Sequence, residues 1–206
     1  RLGLLLATPL VFSCANGANI PLDSEAYVVT MKSNNNEFNI LQLTDIHWSY
    51  NTQIDEASKF LTAIVDAAKT KKGHIDLIEI TGDSLFIANK FIAAKLYETV
   101  NSWGIPFAFT TGNHDYQGHW SADWLNELVS AGSNALFPYS AIKNDKVSGD
   151  TNYVINVQWN GQNKWQIYHL DTKNLINNSG SYDYDYIRED QVEWYKAQTD
   201  ASKAKN

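Results

Sequence analysis

Three polar clusters in the first half of the chain contain the side chains that could take part in chemistry. They have the sequences Asp45-Ile46-His47, Gly82-Asp83 and Gly112-Asn113-His114-Asp115. Carboxylate, imidazole and amide groups are ligands that bind divalent metal ions such as Mn, Fe(II) and Zn. When a carboxylate bridges two such ions, the pair can activate a water molecule and stabilise displacement at a phosphorus atom. An imidazole that binds no metal can protonate the leaving group.

A short apolar run precedes each cluster and has the pattern of a buried strand. The runs cover residues 38–43, 75–80 and 105–111. Apolar residues at helical spacing predict α-helices over Ile54–Lys72 and Asn89–Trp103, each followed by a glycine. Alternating strands and helices predict βαβ units and a parallel sheet, which binds ligands at the carboxyl ends of its strands. The site residues expected at this one edge are Asp45, His47, Asp83, Asn113 and His114.

The second half of the chain has a different pattern. A helix is predicted over Ser121–Val129, and a β-hairpin is predicted from residues 152–159 and 164–171, joined by a loop at residues 160–163. An amphipathic helix over Ile187–Lys203 is predicted to follow. The residues expected to be buried on this helix are Ile187, Val192, Trp194 and Tyr195.

The composition is that of an ordinary soluble globular protein. The chain has 206 residues, of which 44% are hydrophobic and 19% are charged, and this size fits one domain with a substantial core. The net charge of −7 argues against a nucleic acid polymer as the main partner. A small phosphoester remains compatible with an acidic chain when metal ions supply positive charge locally.

The amino terminus has the pattern of an export signal. Arg1 precedes an apolar run from Leu2 to Phe12, and the lone cysteine, Cys14, follows a small residue as in a bacterial lipoprotein leader. This pattern predicts an extracytoplasmic protein that is either secreted or anchored to a membrane by a lipid on Cys14. The alternative is a buried amino-terminal strand or helix with an inert thiol. The predicted division is a leader at residues 1–16, a tether and first strand at 17–36, and a domain at 37–206.

The three clusters, in this order, resemble the first three motifs of the calcineurin-like metallophosphoesterases. The segments Ile167–Thr172 and Gln191–Trp194 resemble the later strand and helix of the purple-acid-phosphatase-like branch. The resemblance extends from residue 37 to the end of the chain. It implies an α/β fold, a layered α/β/β/α sandwich with βαβ units, and a metal-dependent hydrolase of small phosphomonoesters or phosphodiesters that uses two divalent metal ions.

The resemblance also implies a role for each site residue. Asp45 and His47 would hold the first metal ion, Asp83 would bridge the two ions, and Asn113 would hold the second. His114 would assist the leaving group, and Asp115 would orient neighbouring imidazole or backbone groups. Purple acid phosphatases have a tyrosine three residues after the bridging aspartate. Phe86 occupies this position here, so no purple Fe(III) centre is expected.

The remaining histidines do not complete the pattern of this family. The family adds a lone histidine and a Gly-His-x-His motif further along the chain, and neither motif is found before Asn206. The expectation is therefore an amino-terminal portion of an enzyme, with the carboxyl-terminal part missing and little activity alone. His119 is expected in a surface loop or helix cap, and His169 in the core. One alternative is a non-catalytic binding lipoprotein, and another is an ordinary α/β domain whose aspartates and histidines serve turns and caps.

Overall fold

The computed structural model describes residues 20–34, 36–178 and 181–205. The predicted leader at residues 1–16 and the candidate lipid anchor Cys14 therefore lie outside the described residues. Within the described ranges, no helix has both the length and the apolar character needed to cross a bilayer. The predicted α/β class is confirmed, since the chain forms two three-stranded sheets that pack with helices.

The secondary structure elements alternate as predicted in the first half of the chain. The strands are β1 (Val28–Ser33), β2 (Ile40–Leu43), β3 (Leu77–Thr81), β4 (Phe107–Thr110), β5 (Tyr153–Trp159), β6 (Gln162–His169), β7 (Leu175–Asn178) and β8 (Ser181–Tyr184). The α-helices are α1 (Ile54–Lys72), α2 (Lys90–Ser102), α3 (Ala122–Ser130), α4 (Tyr139–Ile142) and α5 (Glu189–Lys203).

The parallel sheet that the clusters require is formed by β2, β3 and β4, with β3 in the centre. The central position explains why four successive residues of β3, from Leu77 to Ile80, are buried, because a strand covered on both faces has no solvent side. Helices α1 and α2 connect the strands, and α1 ends where Gly73 adopts a φ of 82°. The carboxyl ends of all three strands therefore lie at one edge of this sheet.

A second, mixed sheet has the order β1–β5–β6, with β1 parallel and β6 antiparallel to β5. Its inner face contacts the parallel sheet, because the His169 ring lies 2.9 Å from the Glu79 carboxylate and the Tyr153 hydroxyl accepts the Phe109 N–H at 2.9 Å. Its outer face packs on α5, where the Tyr168 ring of β6 contacts those of Trp194 and Tyr195 at centroid distances of 6.3 and 4.8 Å. With α1 and α2 on the far side of the parallel sheet, the layers follow the predicted α/β/β/α order.

The β5–β6 hairpin is tighter than the sequence suggested. Asn160 and Gly161 form the connection alone, with φ values of 52° and 75°, as a two-residue turn of the Asn-Gly type requires. Gln162 and Asn163 pair with Trp159 and Gln158 instead of belonging to the loop. The predicted four-residue loop was therefore wrong by two residues.

The segment predicted as a tether and first strand is part of the folded unit from residue 20 onwards. All six residues of β1 pair with β5 in register. The amide of Gln198 in α5 donates to the carbonyl oxygens of Leu22 and Ser24 at 2.8 and 3.1 Å. The folded domain therefore begins before residue 37.

The buried face of α5 differs from the predicted one. Trp194 is fully buried, but Ile187, Val192 and Tyr195 are 39–46% exposed. Gln191 and Gln198 lie beside Trp194 on the inner face, and their amides satisfy backbone and side-chain oxygens there. The apolar pattern did not reveal this face because two of its three buried positions are polar.

Candidate metal centre

The loops that follow β2 and β3 are joined by a continuous set of backbone hydrogen bonds. Asp45 and His47 donate their N–H groups to the carbonyl oxygens of Gly82 and Asp83 at 3.1 and 3.0 Å. Beyond them, Phe86 donates to the Trp48 carbonyl at 2.9 Å. Sheet-like pairing therefore extends past the ends of both strands and fixes the two loops that contain the first two clusters.

Three residues of these loops have left-handed backbone conformations. Asp45, His47 and Asp83 have φ values of 53°, 54° and 51°. Such angles are uncommon for residues other than glycine and cost on the order of 1–3 kcal/mol each when they are strained. The paired loops hold these conformations and turn the two carboxylates and the imidazole toward one another.

Asp45, His47 and Asp83 meet at the edge of the sheet. Nε2 of His47 lies 3.6 Å from Oδ2 of Asp83 and 4.0 Å from Oδ1 of Asp45. Two ligand atoms that each bind one ion at about 2.1 Å can be at most about 4.2 Å apart, so both separations allow a shared ion. The donor set of carboxylate and imidazole also suits Mn, Fe(II) or Zn. The residues present therefore fit a divalent metal ion.

His114 reaches the same place from the loop after β4. Its ring centroid is 5.2 Å from that of His47, and its ligand atom lies within 4.8 Å of those of His47 and Asp83. Nδ1 of His114 is 2.7 Å from Oε1 of Gln117, which occupies this nitrogen and leaves Nε2 available. Both a ligand role and a proton-transfer role are geometrically open to this imidazole.

Asn113 lines a cavity of about 250 Å³ together with Asp45 and Asp83. The side chain makes no capping hydrogen bond to the short 3₁₀ turn that follows it. The structure therefore brings together five of the predicted site residues at the carboxyl edge of the parallel sheet: Asp45, His47, Asp83, Asn113 and His114.

Asp115 lies beneath this edge. It is 1% exposed, and its carboxylate accepts the Ser84 hydroxyl at 2.7 Å and the N–H groups of Leu85 and Gly112 at 3.0 and 2.9 Å. Burial raises the pKa of Asp115 to about 6, although these three hydrogen bonds favour the charged form. Asp115 therefore joins the second cluster to the third as a positioning residue. Among the described residues, the hydrogen-bond donors to its carboxylate are backbone and hydroxyl groups and not an imidazole.

Two glycines allow the second and third clusters to touch. A Cβ atom at Gly112 would lie 2.2 Å from Oδ1 and 2.4 Å from the backbone nitrogen of Asp83. Gly82, with a φ of 101°, has the Gly112 backbone 3.0 Å from the position of its own absent Cβ. Only glycine permits this close approach of the two loops.

His169 and His119 lie where the sequence suggested. His169 is a buried core residue, stacked on Tyr153 at 4.1 Å and paired with Glu79. His119 is exposed in the loop after the third cluster, with its ring 6.2 Å from that of Tyr50.

The sequence reasoning missed several residues around the site. The Thr44 hydroxyl donates to Asp45 at 2.6 Å, and Gln117 contacts His114. Both residues lie within three positions of a predicted site residue, and this short separation in the sequence could have indicated them. Lys173 and Tyr184 also line the cavity, next to the β7–β8 hairpin. No motif marks this segment, because only the fold brings it beside Asp45 and Asp83.

Comparison with known proteins agrees with this geometry. The family model for calcineurin-like phosphoesterases matches residues 38–205. The chain is 33% identical over 97 residues to a probable cyclic nucleotide phosphodiesterase of Psychrobacter arcticus, covering 43% of this chain and 35% of that protein. It is 26% identical over 190 residues to the phosphatase DCR2 of Saccharomyces cerevisiae, covering 83% and 33%.

A plant relative extends the comparison. The chain is 23% identical over 185 residues to a probable inactive purple acid phosphatase 28 of Arabidopsis thaliana, covering 76% of this chain and 47% of that protein. The chain thus spans about a third to a half of the length of these curated relatives.

Proposed function

The chain belongs to the calcineurin-like phosphoesterase family, and we propose that it is a metal-dependent hydrolase of small phosphomonoesters or phosphodiesters. The observation that carries this proposal is the cluster of His47, Asp83 and His114, whose ligand atoms lie within 4.8 Å of one another, with Asp45 4.0 Å from Nε2 of His47. Because this chain spans only about a third to a half of these relatives, the activity and substrate of the whole protein are part of the same proposal.

Each side chain at the edge has a specific task in this proposal. Asp45 and His47 would hold one metal ion, Asn113 would hold the second through its amide oxygen, and Asp83 would contribute to both sites. When bound, two divalent ions lower the pKa of a water molecule and neutralise charge on the phosphoryl group. Mn, Fe(II) and Zn all suit this donor set.

The chain itself supplies the proton that hydrolysis requires at the leaving group. Water adds its oxygen to phosphorus, the bond from phosphorus to the leaving oxygen breaks, and the leaving oxygen gains a proton. His114 can deliver that proton from Nε2, because Gln117 is in contact with Nδ1. The N–H of His114 donates to Asp83 at 2.9 Å, which holds this residue in place relative to the bridging carboxylate.

The direct test is hydrolysis by the protein expressed from its complete reading frame and reconstituted with each candidate metal. We expect Mn, Fe(II) or Zn to support release of p-nitrophenol from p-nitrophenyl phosphate or bis(p-nitrophenyl) phosphate, and EDTA to abolish it. Asp66→Asn, at an exposed position on α1, is the matched control and should retain the wild-type rate. The proposal is wrong if the protein binds the metal stoichiometrically and hydrolyses neither ester.

A non-catalytic binding protein is the second candidate. The name of one relative, a probable inactive purple acid phosphatase, supports this candidate. This candidate predicts that the metal-loaded chain binds inorganic phosphate in calorimetry while it releases no product from either ester. Turnover that depends on His114 would exclude it.

We also propose that the protein is exported, either secreted or anchored through Cys14. The support is the leader pattern at residues 1–16. Expression with its natural upstream sequence, followed by membrane fractionation of the wild type and Cys14→Ser, tests the anchor. An anchored protein should move from the membrane to the soluble fraction when Cys14 is replaced.

A further inference from the structure

Phe86 lies directly beside the imidazole assigned to the leaving group. Its ring centroid is 4.7 Å from that of His114, edge to face at 85°, and 5.7 Å from that of His47. The Phe86 side chain is half-buried, so part of its surface is open to a ligand. A leaving oxygen within reach of His114 therefore brings the carbon atoms attached to it close to the Phe86 ring.

Two further rings lie on neighbouring segments: Tyr50 comes two residues after Trp48, whose carbonyl oxygen accepts the Phe86 N–H at 2.9 Å. Tyr50 and His119 have ring centroids 6.2 Å apart, and Tyr50 is 50% exposed. Tyr50 lies shortly after His47 in the chain, and His119 lies shortly after His114, so each extends one of the segments that meet at the metal centre. We call Tyr50, Phe86 and His119 the aromatic rim.

The residue after Phe86 adds an exposed apolar side chain in a strained conformation. Ile87 has a φ of 43° and is 49% exposed. A β-branched residue at positive φ is an outlier, and such strain concentrates at sites of function. Burial of the side chain does not explain the conformation, because half of it faces water. The next residue, Ala88, is fully buried and anchors the loop.

Few positive charges line the cavity beside the metal centre. Among the described residues that line the cavity at Asp45 and Asp83, Lys173 is the one Lys or Arg. A neutral ring on the leaving alcohol would find aromatic surface at Phe86, beside His114.

From this geometry we infer that the aromatic rim is the leaving-group subsite and that the preferred ester has a leaving alcohol with an aromatic ring. This inference rests on the proposed function, because the position of the leaving group follows from the proton-donor role proposed for His114. The aromatic ring of the alcohol packs on Phe86 and Tyr50, while the phosphoryl group lies at Asp45, His47 and Asp83.

Binding of two non-hydrolysable phosphonates tests this inference without turnover. In the metal-reconstituted chain, we expect phenylphosphonate to bind about tenfold more tightly than methylphosphonate in calorimetry, since one good aromatic contact is worth about that factor. Tyr50→Ala and Phe86→Ala should each reduce the ratio to about threefold or less. Tyr50 is exposed, so its replacement keeps the test valid if Phe86→Ala fails to fold.

The matched control is Trp165→Ala, which removes an exposed ring near Phe38, at the opposite end of the parallel sheet. It should leave the tenfold ratio unchanged. Equal affinities for the two phosphonates, or a ratio that survives both rim substitutions, would overturn the subsite while the phosphoester function stands. Binding of neither phosphonate by metal-loaded protein would overturn the function and the subsite together.

Discussion

The carboxylate of Asp83 is hydrogen-bonded at one oxygen, while its other oxygen faces His47. Oδ1 accepts the backbone N–H of His114 at 2.9 Å, and Oδ2 lies 3.6 Å from Nε2 of His47. The loop after β4 thereby holds a carboxylate of the loop after β3, so Asp83 is positioned before any metal arrives. Such preorganisation reduces the entropy lost when a ligand shell forms.

Removal of this carboxylate should prevent binding of a metal pair. We expect Asp83→Ala and the isosteric Asp83→Asn to lower the metal content of the reconstituted protein from two ions to at most one, since a bridging anion is lost. Inductively coupled plasma mass spectrometry of the purified variants measures this directly. Full occupancy by two ions in Asp83→Asn would refute the bridging role.

His114→Ala separates the two roles that the geometry leaves open to His114. If it donates a proton, the variant should keep nearly wild-type metal content and lose about 10²–10⁴ in turnover, as is typical for loss of a general acid or base. Metal analysis and rate measurements on the same sample decide the matter. A variant without metal would make His114 a ligand, in agreement with its place beside His47 and Asp83.

Gly112→Ala should disrupt the junction of the two loops. The new methyl group would lie 2.2 Å from Oδ1 of Asp83, so we expect a loss of about 1–3 kcal/mol of stability and of metal binding. Thermal unfolding and metal analysis measure the two effects. Gly73→Ala is the control: with a φ of 82° and nothing within 4 Å, it should cost about 1 kcal/mol with metal content unchanged.

Asp145 should make the stability of the protein depend on pH. Burial raises the pKa of its carboxyl to about 7, with repulsion from Asp150 adding to the effect. The folded protein therefore retains a proton that the unfolded chain loses near pH 4, so this residue lowers the free energy of unfolding as pH rises from about 4 to about 7. The loss should be complete above pH 7.

Asp145→Asn removes this titration. The difference in stability between the variant and the wild type should grow in favour of the variant as pH rises from 5 to 8. We expect this change to be about 1–2 kcal/mol, after allowance for solvent screening at this half-exposed site. Urea unfolding at several pH values gives the difference. A difference that stays constant over this range would contradict the assigned pKa.

Local pattern was enough to predict the elements that carry the site. Each of the three clusters follows a strand, and the glycines after α1 and within the third cluster mark real turns or close contacts. Pattern failed on α5, where the inner face contains Gln191 and Gln198, because a buried amide with hydrogen-bond partners looks like a surface residue in the sequence.

The sequence alone determined the residue types, their order and the strand ends at which they occur, because strand period and βαβ topology are local and directional properties. Tertiary structure decided which atoms face one another. It directed Oδ1 of Asp83 to His114, buried Asp115 under Ser84, and set Phe86 against two imidazoles. These contacts join residues about 30 or more positions apart, and their geometry depends on the packing of three separate loops at one sheet edge.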